Sequence, residues 1–108
     1  MNITQAADPR GYYVRLISTL RNKMMQDAVD TGDYSQCEEK EQTIMETAVR
    51  LGMEAVGEGL WTIDQLHDAA WEAFDGLLEA HCVTMNVQHY LGMEVEQPGV
   101  MIIEKQES

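Results

Sequence analysis

Five carboxylates recur at helical spacing in the second half of the chain, with steps of four, four, three and four residues: Asp64, Asp68, Glu72, Asp75 and Glu79. On one helix they would share an arc of about 80° along roughly 22 Å. No Lys or Arg is interleaved among them, although a base at a spacing of four normally relieves such repulsion. This set, called the acidic row below, could attract a basic protein surface or ligate a hard cation such as Mg²⁺.

The acidic row belongs to a wider charge asymmetry. Residues 51–104 contain ten carboxylates and no Lys or Arg, whereas residues 1–50 contain eight acids and six bases, and the net charge is −12. Such a field steers cationic partners and disfavours direct contact with nucleic-acid phosphates, which requires clustered bases. We therefore expect a basic protein surface as the partner, without direct binding to nucleic acid.

Two interpretations of the acidic row involve no catalysis. The simpler is that it is the solvated outer face of an amphipathic helix. The other is that it imitates a nucleic-acid backbone and occupies a basic cleft, with further carboxylates from the preceding helix: Glu38, Glu39, Glu46 and Glu54. Small acidic helical proteins of this type are familiar as phage or mobile-element inhibitors of DNA-handling and defence machinery. By that analogy we favour an anti-defence-like inhibitor over an enzyme, and we expect it to require no cofactor.

A third interpretation is catalytic. The segment Glu54-Ala55-Val56-Gly57-Glu58, followed after thirteen residues by Glu72-Ala73-Phe74-Asp75, resembles the carboxylate pattern of MazG-type all-α nucleotide pyrophosphohydrolases. The later Leu91-Gly92-Met93-Glu94 also resembles the turn after that family's second metal-binding helix. The resemblance implies Mg²⁺-dependent hydrolysis of nucleoside triphosphates, with Glu54, Glu58, Glu72 and Asp75 as catalytic residues and Glu58, Glu72 and Asp75 as the Mg²⁺ ligands. Ala55 stands where the family pattern has a second Glu.

The histidines, cysteines and tryptophans have simpler structural explanations. His81, Met85 and His89 share one helical face and could bind a soft metal, but His81 fits a hydrogen-bonded core position. Cys37 and Cys82 fit reduced thiols of a cytoplasmic protein, without a disulfide. Both tryptophans, Trp61 and Trp71, fit packing anchors, and an exposed Trp beside the acidic row would be a binding hot spot.

Helix signals predict three main helices. The first begins at Asp8-Pro9 and ends near Gly32. The second opens at Ser35, where Ser35 and Glu38 have the spacing of a capping box, and ends at Gly57 and Gly59. Its inward positions are expected to be Cys37, Glu41, Ile44, Ala48, Leu51 and Ala55.

A capping box of Thr62 and Gln65 opens the third and longest helix, which is expected to reach Tyr90. Its buried residues are expected to be Ile63, Leu66, Ala70, Phe74, Leu77, His81 and Met85. The sequence thus predicts an all-α, antiparallel bundle over residues 1–92. A tail over residues 93–108 would pack on the bundle, remain flexible or add a short edge strand. We expect no membrane association, and a homo-oligomer or an assembly role is a further alternative.

Overall fold

The computed structural model describes residues 2–93, and within this range all regular secondary structure is helical. A short 3₁₀ helix, Ile3–Gln5, precedes four α-helices: α1 (Pro9–Thr31), α2 (Cys37–Gly57), α3 (Ile63–Phe74) and α4 (Leu77–Tyr90). The all-α prediction is confirmed, but the described residues form four helices rather than three main ones. The expected edge strand and tail contacts of residues 94–108 lie outside the described residues, so the division into bundle and tail stays a prediction.

Helix α1 forms where its terminal residues predict it. The Asp8 carboxylate accepts a hydrogen bond from the Gly11 backbone N–H at 3.1 Å, and Pro9 occupies the first turn. At the other end, Gly32 adopts the left-handed conformation with φ 72° and its N–H donates to the Ala28 carbonyl. The helix is therefore fixed at both ends by local chemistry.

Helix α2 begins differently from the prediction. The backbone N–H and the hydroxyl of Ser35 both donate to the Asp33 carboxylate, at 2.9 and 2.7 Å. Ser35 is thereby occupied in a local turn, and the N-cap residue, Gln36, makes no side-chain capping bond. The capping box of Ser35 and Glu38 is thus wrong, because the nearer Asp33 carboxylate competes for the same groups. These two hydrogen bonds also hold the pKa of Asp33 below its usual value.

The expected long third helix is interrupted. Its capping box is confirmed, since Gln65 N–H donates to the Thr62 hydroxyl at 3.2 Å and the Thr62 N–H donates to the Gln65 side chain at 2.8 Å. The helix then ends at Phe74, because Asp75 takes the left-handed conformation with φ 52°. Asp tolerates this conformation better than most residues, and Gly76 is a poor helix former, so the pair makes a turn. The prediction of one helix through residues 62–90 is therefore wrong.

This turn allows α4 to pack beside α3 within one helical bundle. Helix α3 packs against α1 and α4, and α2 packs against the same two helices. The resulting core is filled mainly by Tyr13, Ile17, Leu51, Leu66, Val83 and Val87. None of the described helices has the length and apolarity needed to cross a membrane.

The inward faces agree with the predicted periodicity except near the break. On α2, Ile44, Ala48, Leu51 and Ala55 are buried, but Cys37 is partly exposed and Glu41 is fully on the surface. On α3, Leu66, Ala70 and Phe74 are buried and Ile63 is partly buried. Beyond the turn, Leu77 is exposed while His81 and Met85 are only partly buried. The burial prediction for Leu77 is wrong because the turn rotates α4 relative to α3.

Candidate interaction site

All five members of the acidic row are exposed, but they lie on three successive pieces of backbone. Asp64, Asp68 and Glu72 belong to α3, Asp75 is its C-cap residue, and Glu79 lies in the first turn of α4. The acidic row is therefore not a straight line along one helix. Its first three members still share one side of α3, and Asp75 caps the end of that helix.

Glu72 differs from the other members because it has a basic partner. Its Oε1 accepts a hydrogen bond from Arg10 Nη2 at 2.6 Å, which joins α3 to the start of α1. Within residues 2–93, no Lys or Arg lies within 4.0 Å of Asp64, Asp68, Asp75 or Glu79. Four carboxylates of the acidic row thus keep an uncompensated charge in the described part of the protein.

An exposed tryptophan lies among these carboxylates. Trp71 follows Asp68 by three residues, so the two occupy one side of α3, and Asp75 caps the helix one turn beyond Trp71. Its side chain is 47% exposed, and its ring contacts the His67 ring edge-on, with the centroids 5.8 Å apart. We call Asp64, Asp68, Trp71 and Asp75 the α3 face. Trp61, by contrast, is partly buried and packs edge-on against Tyr13, as expected of a packing anchor.

The turn after the α3 face adds apolar surface. Leu78 is 79% exposed and Leu77 is 43% exposed. These two adjacent Leu side chains place exposed apolar surface at the start of α4, in the turn that follows α3. Exposed aromatic groups are enriched at protein-binding sites, where polar and charged groups form the rim.

Glu54 and Glu58 form the first group of carboxylates in the pyrophosphohydrolase pattern. Both accept hydrogen bonds from the N-terminal segment. Glu54 accepts a hydrogen bond from the Ile3 backbone N–H at 3.3 Å and pairs with Arg50 at 3.4 Å. Glu58 accepts hydrogen bonds from Asn2 Nδ2 at 3.1 Å and from the Thr4 hydroxyl at 3.3 Å. Both carboxylates therefore anchor the 3₁₀ helix, whose Ile3 side chain is completely buried.

The four carboxylates of that pattern do not meet at one point. Glu72 is engaged by Arg10, and Asp75 occupies the turn after α3. Within residues 2–93, no group of three or more His, Cys, Asp and Glu side chains is placed to hold a metal ion. The structure thus does not assemble Glu58, Glu72 and Asp75 as a Mg²⁺ site in the range it describes, and the catalytic hypothesis stays a prediction.

The structure reveals a histidine contact that the sequence analysis missed. The His67 and His81 rings lie with their centroids 4.9 Å apart and their planes at 55°. Nε2 of His67 is buried and has no hydrogen-bond partner among the described residues. His89 is exposed instead, and its ring lies 5.3 Å from that of Tyr90. Recognising Asp75-Gly76 as a turn would have been needed to place His67 opposite His81.

Both cysteines are free thiols in the structure, in agreement with the predicted lack of a disulfide. Cys82 lies on α4 one turn after Glu79, and partial burial raises its pKa. The Asn86 side chain donates to the Cys82 sulfur at 3.5 Å and opposes this shift, whereas the Glu79 charge adds to it. Such an environment makes a thiol less reactive, so it does not suit a nucleophile.

A groove of about 410 Å³ runs between α2 and α4. It is lined by Gln42, Met45, Glu46, Val49, Arg50, Met53, Asn86 and Tyr90. The lining combines two methionines and a valine with charged groups, and it includes no His or Cys that could act as a nucleophile or base.

In comparisons with known proteins, the chain matches no family model, and neither a curated protein nor a solved structure matches it significantly. The resemblance to MazG-type pyrophosphohydrolases therefore stays a prediction.

Proposed function

We propose that this chain is a non-enzymatic binding protein whose α3 face engages a basic surface of a partner protein. The observation that carries the proposal is a half-exposed Trp71 among three carboxylates, Asp64, Asp68 and Asp75, that have no Lys or Arg within 4.0 Å in residues 2–93. A solvated outer face requires neither an exposed indole nor carboxylates without neighbouring Lys or Arg. A binding face uses both.

The two kinds of group serve different steps of association. Exposed carboxylates attract a basic partner over a distance and raise the association rate more than the final affinity. An indole supplies a large rigid contact area and is enriched among residues that dominate binding energy. Arg suits such a face better than Lys, because its guanidinium can pair with a carboxylate and also stack on an indole. We therefore infer an arginine-rich partner surface.

A nucleic-acid-binding protein is the partner class that this chemistry favours. Such proteins expose clustered bases to hold phosphates, and an acidic protein seated there would inhibit nucleic-acid binding. Along α3, the step from Asp64 to Asp68 is about 6 Å and that from Asp68 to Asp75 about 10 Å. These steps exceed the roughly 3.4 Å charge spacing of one DNA strand, so the α3 face would block a cleft rather than reproduce the full phosphate pattern.

The first test compares two triple variants with the same change in charge. The first, Asp64→Asn with Asp68→Asn and Asp75→Asn, neutralises the α3 face. The matched control neutralises three exposed carboxylates of α2: Glu38→Gln, Glu39→Gln and Glu46→Gln. A labelled nona-arginine peptide serves as a defined basic probe, and its affinity is measured by fluorescence anisotropy at several salt concentrations.

We expect the first variant to bind the peptide at least about tenfold more weakly than the control variant, because the α2 carboxylates lie outside the α3 face. Trp71→Ala should weaken nona-arginine more than nona-lysine. Equal losses in both triple variants would mean that only net charge matters, and the proposal would fail. Circular dichroism of each variant shows whether helicity is retained.

The second test concerns the partner class. Proteins captured at low salt by the wild-type chain, and not by the first variant, are purified and titrated with duplex DNA. We expect DNA to compete with the chain for the captured protein, with a steep dependence on salt. Simultaneous binding of DNA and the chain would contradict inhibition by occupancy of a nucleic-acid cleft.

A further inference from the structure

The Asp75-Gly76 turn creates a contact between two histidines on different helices. His67 on α3 and His81 on α4 are fourteen residues apart, a separation of roughly 21 Å along one continuous helix. In the folded chain their ring centroids are 4.9 Å apart, with the ring planes at 55°. The turn thus converts two distant imidazoles into a pair.

One nitrogen atom of this pair is buried without a hydrogen-bond partner. Nε2 of His67 is inaccessible to solvent and makes no hydrogen bond within residues 2–93. Buried polar atoms in proteins are almost always bonded to protein, water or an ion. A buried imidazole nitrogen without a protein partner, on a ring that packs against a second imidazole, has the donor chemistry of a metal ligand.

The separation of the rings fits a shared ion. Zn²⁺ binds imidazole nitrogen at about 2.0–2.1 Å and prefers tetrahedral angles. Two imidazoles held in that way have ring centroids about 5 Å apart, close to the observed 4.9 Å. We propose that His67 and His81 form a two-histidine site for a first-row transition ion, with Zn²⁺ as the ion that best suits it.

Because Nε2 of His67 is closed to solvent in this structure, the ion and the water that completes its shell would enter as side chains around the pair move aside. Within residues 2–93, no third His, Cys, Asp or Glu is placed to complete a site of three such ligands. Two ligands with open positions bind reversibly, unlike the closed four-ligand sites that hold structural zinc. The ion would tie α3 to α4 across the turn that follows the α3 face, and His67 is in direct contact with Trp71. The site does not depend on the proposed function.

Thermal unfolding of the full chain tests the proposal, with ZnCl2 as the probe. An ion that joins two residues of the native fold raises the unfolding midpoint by mass action. We expect a rise of about 5 °C when free Zn²⁺ is about ten times its dissociation constant, reversed by EDTA. MgCl2 at the same concentration should give no such rise, because hard cations prefer carboxylate oxygens to imidazole.

Three single variants locate the effect. His67→Gln and His81→Gln should each remove the Zn²⁺-dependent rise, whereas His89→Gln, which changes an exposed histidine outside the pair, should retain it. A rise that persists in both of the first two variants, or that disappears in His89→Gln, would overturn the proposal.

Imidazole ¹H–¹⁵N spectra of the wild-type chain provide a measurement that does not depend on the folding of variants. Titration with Zn²⁺ should shift the resonances of His67 and His81 together and saturate at one ion per chain. Unchanged resonances of the pair would overturn the proposal, as would a response of His89 alone.

Discussion

The Arg10 guanidinium and the Glu72 carboxylate form an ion pair of 2.6 Å that joins the start of α1 to the outer side of α3. Both side chains are about half exposed. A surface pair of this kind stabilises a fold by only about 0–1 kcal/mol. Its larger consequence is electrostatic, because it removes Glu72 from the set of carboxylates available to a partner.

Glu72→Gln should therefore affect binding less than Asp68→Asn, although both remove one negative charge from the same helix. Asp68 has no base within 4.0 Å in residues 2–93, whereas Glu72 is already neutralised by Arg10. Peptide affinity measured by anisotropy at low salt distinguishes the two variants. Equal losses would show that the ion pair does not persist in solution.

The left-handed conformation of Asp75 makes a prediction about stability. Asp75→Ala should lower the free energy of unfolding by about 1 kcal/mol, because a side chain with a Cβ and no local polar group disfavours positive φ. Asp75→Gly should be neutral or stabilising, since glycine adopts φ 52° without strain. Urea denaturation gives the free energy of unfolding of the wild-type chain and of both variants.

Asp75→Asn is the useful control, since Asn also tolerates this conformation. Its free energy of unfolding should equal that of the wild-type chain. This result would also show that the Asp75→Asn change in the triple variant of the α3 face leaves the turn intact. If Asp75→Ala were more stable than Asp75→Gly, the residue would not occupy a left-handed turn.

The sequence predicts those parts of the fold that depend on neighbouring residues. Asp8, Pro9 and Gly32 determine the ends of α1 through their own hydrogen bonds and backbone preferences, and the same is true of Thr62 and Gln65 at the start of α3. Periodicity likewise identifies most of the buried faces, because one side of each helix must be apolar. These features are local and can be inferred without knowing the packing.

The break at Asp75-Gly76 could not be inferred in this way. The apolar spacing continues through it, and a single Gly is tolerated inside many helices. What decides the break is that a turn lets Ala80, Val83 and Val87 be buried within the bundle, which is a long-range effect. The same break divides the acidic row and brings His67 to His81, so the errors about the site follow from the error about the helix.

Gly52 and Gly57 on α2 offer a matched pair for testing the packing of the bundle. A Cβ at Gly52 would lie 2.9 Å from Leu66 Cδ2 and 3.0 Å from Val87 Cγ2, where α2 meets α3 and α4. Gly52→Ala should therefore lower the free energy of unfolding by about 1–3 kcal/mol through overpacking. Urea denaturation followed by circular dichroism measures the change.

Gly57→Ala should behave in the opposite way. The nearest atom to a Cβ there is Leu91 Cδ2 at 3.6 Å, an ordinary contact distance. Alanine also reduces the conformational freedom of the unfolded chain, so we expect an increase of up to about 1 kcal/mol. A similar loss in both variants would mean that helix composition, rather than the close approach at Gly52, determines the effect.

The environment of Cys82 makes a prediction about reactivity and pH. Partial burial raises the pKa of its thiol, and the nearby charge of Glu79 adds to the increase despite the opposing hydrogen bond from Asn86. In a Cys37→Ser chain, alkylation of Cys82 by iodoacetamide should therefore reach half of its maximal rate at a higher pH in the folded protein than in urea. Glu79→Gln should shift the profile of the folded protein toward lower pH.

Because the folded-state pKa is the higher one, the contribution of Cys82 to stability is complete below the pKa of the unfolded thiol and is lost as the pH rises through the folded value. The free energy of unfolding measured with urea should thus fall less steeply with rising pH above pH 9 in a Cys82→Ser chain than in the wild-type chain. Identical pH profiles of the two chains would contradict the raised pKa.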